Sequence, residues 1–342
     1  MSIYWDRLAK PIDGLGEFER IIDKLGDICG THEPDELRDR VSKRALIIFC
    51  ADHGVVCEGV SQTDKAVTRT VMENMERGSS SAVIMADKAG VDSFIIDVGV
   101  DCENYPCRTY EKNRIIDKKI KRGSGNIASE PAMSAEEFDR AFKVGEETIK
   151  ELKKKGYNMF LTGEMGIGNT TPTAALVCAL LNKAPRDIVG RGAGLSDEGL
   201  SKKIKTVERV LERVGKMTDN DIRGIVSELG GFEIAALSGA FCAACKENVP
   251  IVIDGAISAV AALTAYRLTG NKESFIASHI SREPAAKAAL SALKLRGVID
   301  AEMKLGEGTG ALMLSPLIDM ALSVYAKLPS FDACKIEEYR RY

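Results

Sequence analysis

The chain has 342 residues, 45% of them hydrophobic and 28% charged, enough to bury one large core or one large and one small. A formal net charge of −3 offers no basic field for nucleic acid. The short lysine runs Lys153–Lys155 and Lys202–Lys203 fall in helical patterns and read as solvated faces. No apolar run approaches the roughly 18 residues of a membrane span, and MSIYWDRLAK lacks the apolar core of a signal peptide, so a cytoplasmic location without membrane or nucleic-acid partners is expected.

In chain order, the stretch to about residue 40 is helical in pattern and strand-free. Runs rich in β-branched and aromatic residues then alternate with helical periods. A strand is predicted at Ala45–Cys50, helices at Val67–Arg77 and Ser80–Lys88, a strand at Ser93–Val98, and a helix at Ala135–Lys155. There follow a strand at Asn158–Thr162, helices at Pro172–Leu181, Asp197–Val214 and Ile234–Lys246, and a strand at Pro250–Ile253. A helix at Val260–Leu268, a strand at Ser274–Ala277 and a helix at Glu283–Leu295 precede a helical stretch from Leu312 onward. The strands are near-continuously apolar, as strands covered on both faces are. The expected fold is α/β: a doubly wound, mostly parallel sheet with helices on both faces. Residues 41–311 would form the large catalytic domain, and 1–40 with 312–342 a small helical one. Polar residues and glycines gather just past the strand ends, at Asp52-His53-Gly54, Gly99-Val100-Asp101, Gly163-Glu164-Met165, Asp254-Gly255 and Ser278-His279, where open α/β sheets bind ligands.

Nine cysteines form no disulfide framework and read as free thiols in a reducing compartment. Cys242 and Cys245 make a lone CxxC in a helical period, better read as packing than as a metal or redox site.

The most informative stretch is YNMFLTGEMGIGNTTPTAALVCALLN, residues 157–182. An apolar strand breaks into a loop spaced by Gly163, Gly166 and Gly168, and Asn169-Thr170-Thr171-Pro172 starts a helix. Glycines let amides approach an oxyanion, and the helix's first turn adds partial positive charge, so a phosphate is the expected guest. The spacing fits a P-loop except that Asn169 stands where the lysine belongs, which favours a phosphate monoester over a nucleoside triphosphate. Glu164, a carboxylate in an anion-binding loop, is the candidate for chemistry. A second glycine-bracketed glutamate, Glu307 in KLGEGTGA, precedes another helix; if both loops border one pocket, a carboxylate stands beside a phosphate-bearing substrate. No GxGxxG follows an early strand, so a Rossmann-type oxidoreductase is a poor fit. A silent mononucleotide-binding module would keep the loops but need not keep both glutamates.

The chain resembles the nicotinate-nucleotide:dimethylbenzimidazole phosphoribosyltransferase family over nearly its whole length. The resemblance runs through LAKPIDGLG (8–16), CADHGVVCEGVS (50–61), VT followed by Asn74, DVGV (97–100), PAMS (131–134), GEMGIGNTTPTAA (163–175), GRGAGLSDEGLSKK (190–203), LGGFEIAALSGA (229–240), VIDGAIS (252–258), SHISREP (278–284) and LGEGTGA (305–311). It implies a homodimer without metal or cofactor. The implied reaction moves the 5-phosphoribosyl group of nicotinate mononucleotide to a benzimidazole nitrogen with inversion, giving α-ribazole 5′-phosphate and nicotinate for the lower ligand of cobalamin. By motif match Glu307 is the general base, and Glu164 and Lys203 line its pocket. Phosphate and ribose would lie on Gly166, Ile167, Gly168, Asn169 and Thr170 and on Gly190, Arg191, Gly192 and Gly194. The two bases would meet Ser61, Thr70, Met165, Asp254, Gly255, Ser258, His279 and Leu305. His53 and His279 admit either a pocket hydrogen bond or a structural role.

This chain departs from the family pattern at Thr70 and Val71, where Gln and Met are usual, at Ala193 in GRGAG, and at Ala285-Ala286 after SHISREP. The donor side matches better than the acceptor side. Adenine, another benzimidazole or a phenol therefore stands beside dimethylbenzimidazole as acceptor.

Overall fold

A computed structural model describes residues 3–215 and 221–341. The N-terminal helices are α1 (Ile3–Arg7), α2 (Glu17–Cys29) and α3 (Pro34–Arg40), followed by β1 (Arg44–Ala51). Next come α4 (Ala66–Glu76), α5 (Ser81–Ala89), β2 (Asp92–Gly99), β3 (Ile115–Asp117), α6 (Ala135–Lys154) and β4 (Met159–Met165). The chain continues through α7 (Thr170–Leu181), α8 (Pro185–Ile188), α9 (Asp197–Val214), α10 (Ile222–Leu229), α11 (Phe232–Lys246) and β5 (Ile251–Ile253). It ends with α12 (Ala256–Thr269), β6 (Phe275–Ala277), α13 (Pro284–Leu293), α14 (Thr309–Lys327) and α15 (Phe331–Cys334).

The strands pair in parallel in the order β3-β2-β1-β4-β5-β6, so the winding direction reverses between β1 and β4. Such a switch point opens a crevice beyond the carboxyl ends of the central strands. Alternation along β1 sends Ala45, Ile47 and Phe49 into the apolar core on one face and Leu46, Ile48 and Cys50 into the core on the other. Ile47 and Ile48 are both fully buried, and each contributes roughly 1.5–3 kcal/mol.

The first face is covered by helices buried nearly all round: α7, α11 and α12 are rich in alanine and present few polar groups. Cys242 and Cys245 lie buried on α11 in this layer. The second face is covered by α14, α2, α3 and α5; Leu312, Leu314 and Ile318 meet Leu46, Ile48 and Leu161 there. The Arg44 guanidinium at the start of β1 donates to the Ser315 carbonyl at 3.0 Å and forms a bidentate pair with Asp319 of α14. By length and composition α14 is apolar enough to cross a membrane, a property the sequence pattern does not announce, but it packs into the core.

Three boundaries differ from expectation, each for a local reason. The ladder to β1 carries β4 on to Met165, with Glu164 opposite Phe49, so Glu164 is a strand residue and not a loop residue. Thr170 rather than Pro172 begins α7, because proline is tolerated within the first helical turn. Helix α14 begins at Thr309 rather than Leu312, directly after the second glycine loop. The elements that sequence patterning does not show include the three-residue strand β3 and the helix α10.

Candidate active site

A cleft of about 240 Å³ opens at the carboxyl ends of β1, β4, β5 and β6. Glu164, Met165, Gly166, Ile167, Gly168, Asn169 and Thr170 line it from β4 and the turn into α7. Arg191, Gly192 and Gly194 line it from the loop before α9, with Lys203 from α9 itself. Ser61, Gly255, His279, Leu305 and Glu307 complete the expected set on its walls. Two segments far apart in sequence, the end of β4 and the loop before α14, each with a glutamate between glycines, thus face one cavity.

The turn Gly166–Thr170 makes few bonds of its own. Asn169 N donates to the Gly166 carbonyl and Thr171 N to the Gly168 carbonyl, whereas the amides of Gly168 and Thr170 have no hydrogen-bond partner among the described residues. Ile167 N donates at 3.0 Å to the hydroxyl of Thr68, buried on α4. Free amides at a helix start are donors for an oxyanion. The cation that Asn169 does not supply arrives from another element. Lys203 reaches in from α9, its ammonium donating at 2.7 Å to Thr170 Oγ1 and at 3.2 Å to the Gly190 carbonyl. Burial lowers its pKa to about 8, against the opposing pull of Glu283. Glu283 in turn accepts from Gly192 N at 3.0 Å and shapes the Gly190–Gly194 loop.

Asn169 holds Glu164 instead, its amide donating to Oε2. Burial first, and then the charges of Asp254, Glu233 and Glu307, raise the Glu164 pKa to about 8; the bond from Asn169 opposes the shift. At neutral pH the carboxyl is therefore protonated, which resolves the puzzle of an acid beside an anion site.

Glu307 is held differently. Its φ of 60° lies in the left-handed region, a strained setting for a residue with a side chain. The strain is sustained from both sides. A Cβ on Gly163 would lie 2.6 Å from the Glu307 carbonyl oxygen, so the loop rests directly on β4 backbone. Asp254, buried at the end of β5, accepts from Gly310 N at 2.7 Å, Gly308 N at 3.1 Å and Ala311 N at 3.1 Å, capping α14 from 54 to 57 positions away. Glu307 Oε2 accepts from Ala82 N at 3.4 Å in the first turn of α5. Burial raises its pKa above the usual value, and that bond counteracts the rise.

Four expected residues sit elsewhere. Asp254 and Ser258 lie behind the wall: Ser258 Oγ is 2.6 Å from Thr162 Oγ1 and accepts from Asp254 N at 3.1 Å. The Gly190 backbone is buried and serves through its carbonyl. Thr70 is exposed on α4, its hydroxyl turned back to the Ala66 carbonyl at 3.3 Å, and it does not line the cleft. A helix exposes alternate faces every few residues, and the buried member of that segment is Thr68, two positions earlier. Sequence reasoning misses Thr68 and Glu283 as site residues, although the motifs VT and SHISREP contain them. Gln62, which donates to the Gly194 carbonyl, and Lys304 also border the cleft. His279 faces the cleft with Nδ1 3.0 Å from Ser278 Oγ, while His53 lies outside it, buried 2.9 Å from Glu233.

This geometry has close relatives. A phosphoribosyltransferase family model matches residues 1–336. A nicotinate-nucleotide–dimethylbenzimidazole phosphoribosyltransferase of Acetivibrio thermocellus is 41% identical over 98% of this chain and 92% of its own length. That of Clostridium acetobutylicum is 39% identical over the same shares. The crystal structure of CobT from Thermus thermophilus superposes with a TM-score of 0.90 at 33% identity, covering 98% of both chains. The chain belongs to this phosphoribosyltransferase family. Fold and membership both agree with the resemblance carried by the two glutamate loops.

Proposed function

We infer that this chain transfers the 5-phosphoribosyl group of nicotinate mononucleotide to a benzimidazole-type base, with inversion at C1′. The products are α-ribazole 5′-phosphate and nicotinate, and the setting is assembly of the cobalamin lower ligand. One observation carries the reading: Glu307 and Glu164 share a cleft with the free amides of Gly168 and Thr170 and with the ammonium of Lys203. The donor phosphate lies on those amides, with Lys203 as counter-charge. The donor's pyridinium nitrogen becomes neutral as its bond to C1′ breaks, so departure needs no proton. The azole attacks from the opposite face, and Glu307 accepts the proton from its other nitrogen, an effect of about 10²–10⁴ in rate. Neutral Glu164 donates a hydrogen bond within the same pocket.

Incubation with nicotinate mononucleotide and a panel of bases, with products identified by mass, tests the assignment. A new ribazole phosphate with release of nicotinate supports it; no product with any azole, purine or phenol overturns it. The same panel ranks adenine, other benzimidazoles and phenols against dimethylbenzimidazole.

The protein acts as a homodimer in this reading. Ile84 on α5 and Met313 and Met320 on α14 are exposed on helices that pack together, a surface suited to a second copy. Light scattering in solution checks it. The nine unpaired cysteines support a cytoplasmic setting. The terminal helices, residues 1–40 and 312–342, are proposed as a small helical unit beside the α/β domain 41–311; limited proteolysis checks that boundary.

A further inference from the structure

One buried pair lies outside the cleft and touches the chemistry above only through the charge of Glu233 on Glu164. His53 Nε2 lies 2.9 Å from Glu233 Oε1, and both side chains are almost wholly inaccessible, at 1% and 0%. The residues come from distant elements: His53 stands just past the end of β1, and Glu233 lies in the first turn of α11.

Stability is a poor reason for such a pair. Burying two charges costs solvation, and an apolar pair of similar volume is often no less stable. Its location suggests another role. The imidazole is wedged between two backbone segments. A Cβ on Gly231 would lie 2.3 Å from His53 Cε1, and a Cβ on Gly166 would lie 3.3 Å from Nε2 and 2.3 Å from the Ala51 carbonyl oxygen. A Cβ on Gly168 would lie 3.7 Å from His53 Cβ. The ring therefore backs the Gly166 end of the turn, with Val56 and the His53 Cβ behind Gly168, and these glycines have no side chains to hold its shape. A ring free to rotate would not form a fixed wall, and the Glu233 carboxylate is its hydrogen-bond partner.

We propose that His53 and Glu233 are a positioning pair: the carboxylate fixes the imidazole, and the imidazole fixes the phosphate-binding turn in its anion-receiving shape. This rests on the donor assignment made above. Burial alone would drive the His53 pKa down, but the charge and hydrogen bond of Glu233 raise it above the ordinary value, which keeps Nε2 a donor to the carboxylate.

The test compares nicotinate mononucleotide with phosphate-free nicotinate riboside by calorimetry on the full-length protein, with steady-state kinetics alongside. His53→Ala is expected to weaken the mononucleotide about tenfold, a 1.4 kcal/mol effect, while leaving the riboside and the acceptor KM within about twofold. His53→Gln, whose amide nitrogen reaches about as far as Nε2, restores most of the loss. Glu233→Ala removes the buried carboxylate and frees the ring, so it reproduces the donor-selective loss and supplies the same readout if His53→Ala folds poorly. The double variant loses no more than either single one, because the two residues act as a unit. Equal losses for mononucleotide and riboside, additive losses in the double variant, or unchanged donor affinity in folded variants overturn the positioning role. Failure of the unmodified protein to bind nicotinate mononucleotide would instead overturn the donor assignment.

Discussion

Glu164 and Glu307 face the same cleft, yet they are held by opposite means. Glu164 sits on a central strand, its backbone in register with Phe49 and its side chain clasped by Asn169. Glu307 stands on a loop at positive φ, tied down by Asp254 and by its contact with Gly163. Burial and the neighbouring carboxylates Asp254 and Glu233 push the Glu164 pKa up to about 8, which fits the neutral-donor role proposed for it. At Glu307 burial also raises the pKa, but the bond from Ala82 N opposes it, which fits the proton-acceptor role proposed for this residue. Two residues of one type thus meet different settings, set by backbone, burial and neighbouring charges together.

The sharpest way to break this comparison is Glu307→Gln. It keeps the shape and removes the proton acceptor, so kcat falls about 10²–10⁴-fold while the KM for nicotinate mononucleotide holds. Near-normal turnover in a folded variant would remove Glu307 from the base role. Next in size is Lys203→Met, which deletes a buried charge-assisted contact and raises the donor KM roughly 10–100-fold, with the phosphate-free riboside hardly affected. In the unmodified protein the Lys203 ammonium titrates at about 8, so kcat/KM for the donor falls as pH rises through that value. A flat profile there would assign phosphate charge recognition elsewhere.

Asp254→Asn separates the loop from its anchor. The amide can accept at only one end, where the carboxylate accepts three backbone N–H groups, so roughly 1–3 kcal/mol of stability is lost and kcat drops about tenfold. Thermal melting and single-turnover rates measured together check it, since a fall in Tm with unchanged chemistry would make Asp254 structural only.

Glu164→Gln is milder at neutral pH, because the native carboxyl is already neutral; turnover stays within about tenfold. Its signature is in stability. The folded pKa of about 8 stands above the ordinary value of 4.5, so between those values the native state holds a proton that the unfolded chain has released. Native stability therefore declines as pH rises through that window, and the Gln variant does not share the decline. Melting curves from acid to alkaline pH should show the variant gaining on the native protein, and parallel curves would mean Glu164 is ionised. The smallest effect belongs to Thr70→Gln: on an exposed helix face it shifts relative kcat/KM between paired bases by less than about twofold. A marked narrowing would mean that the position meets the acceptor across a subunit boundary.

The sequence disclosed the sheet because its central strands are continuously apolar and bounded by glycine and polar clusters. It did not disclose β3, whose three residues are too few to show a period, nor α10, whose eight residues lie close to the start of the longer α11. At the site, glycine spacing exposed both glutamates. What stayed hidden were partnerships across the chain. Nothing local shows that Lys203 supplies the cation absent at Asn169, that Asp254 caps a helix more than 50 positions later, or that Thr68 rather than Thr70 turns inward. The first two come from the sheet's topology, which brings the loops and helices beyond its strand ends together, and the third from the phase of a helix.

The anchorage of Arg44 on α14 has a consequence for how the protein is made. Its partners Ser315 and Asp319 are synthesised 271 and 275 residues after it. At common translation speeds that is a wait of roughly a quarter of a minute to a minute, during which the strand face destined for Leu312, Leu314 and Ile318 has only α2, α3 and α5 to cover it. The part of Leu46, Ile48 and Leu161 that α14 covers therefore gains its native packing only after that helix has been made.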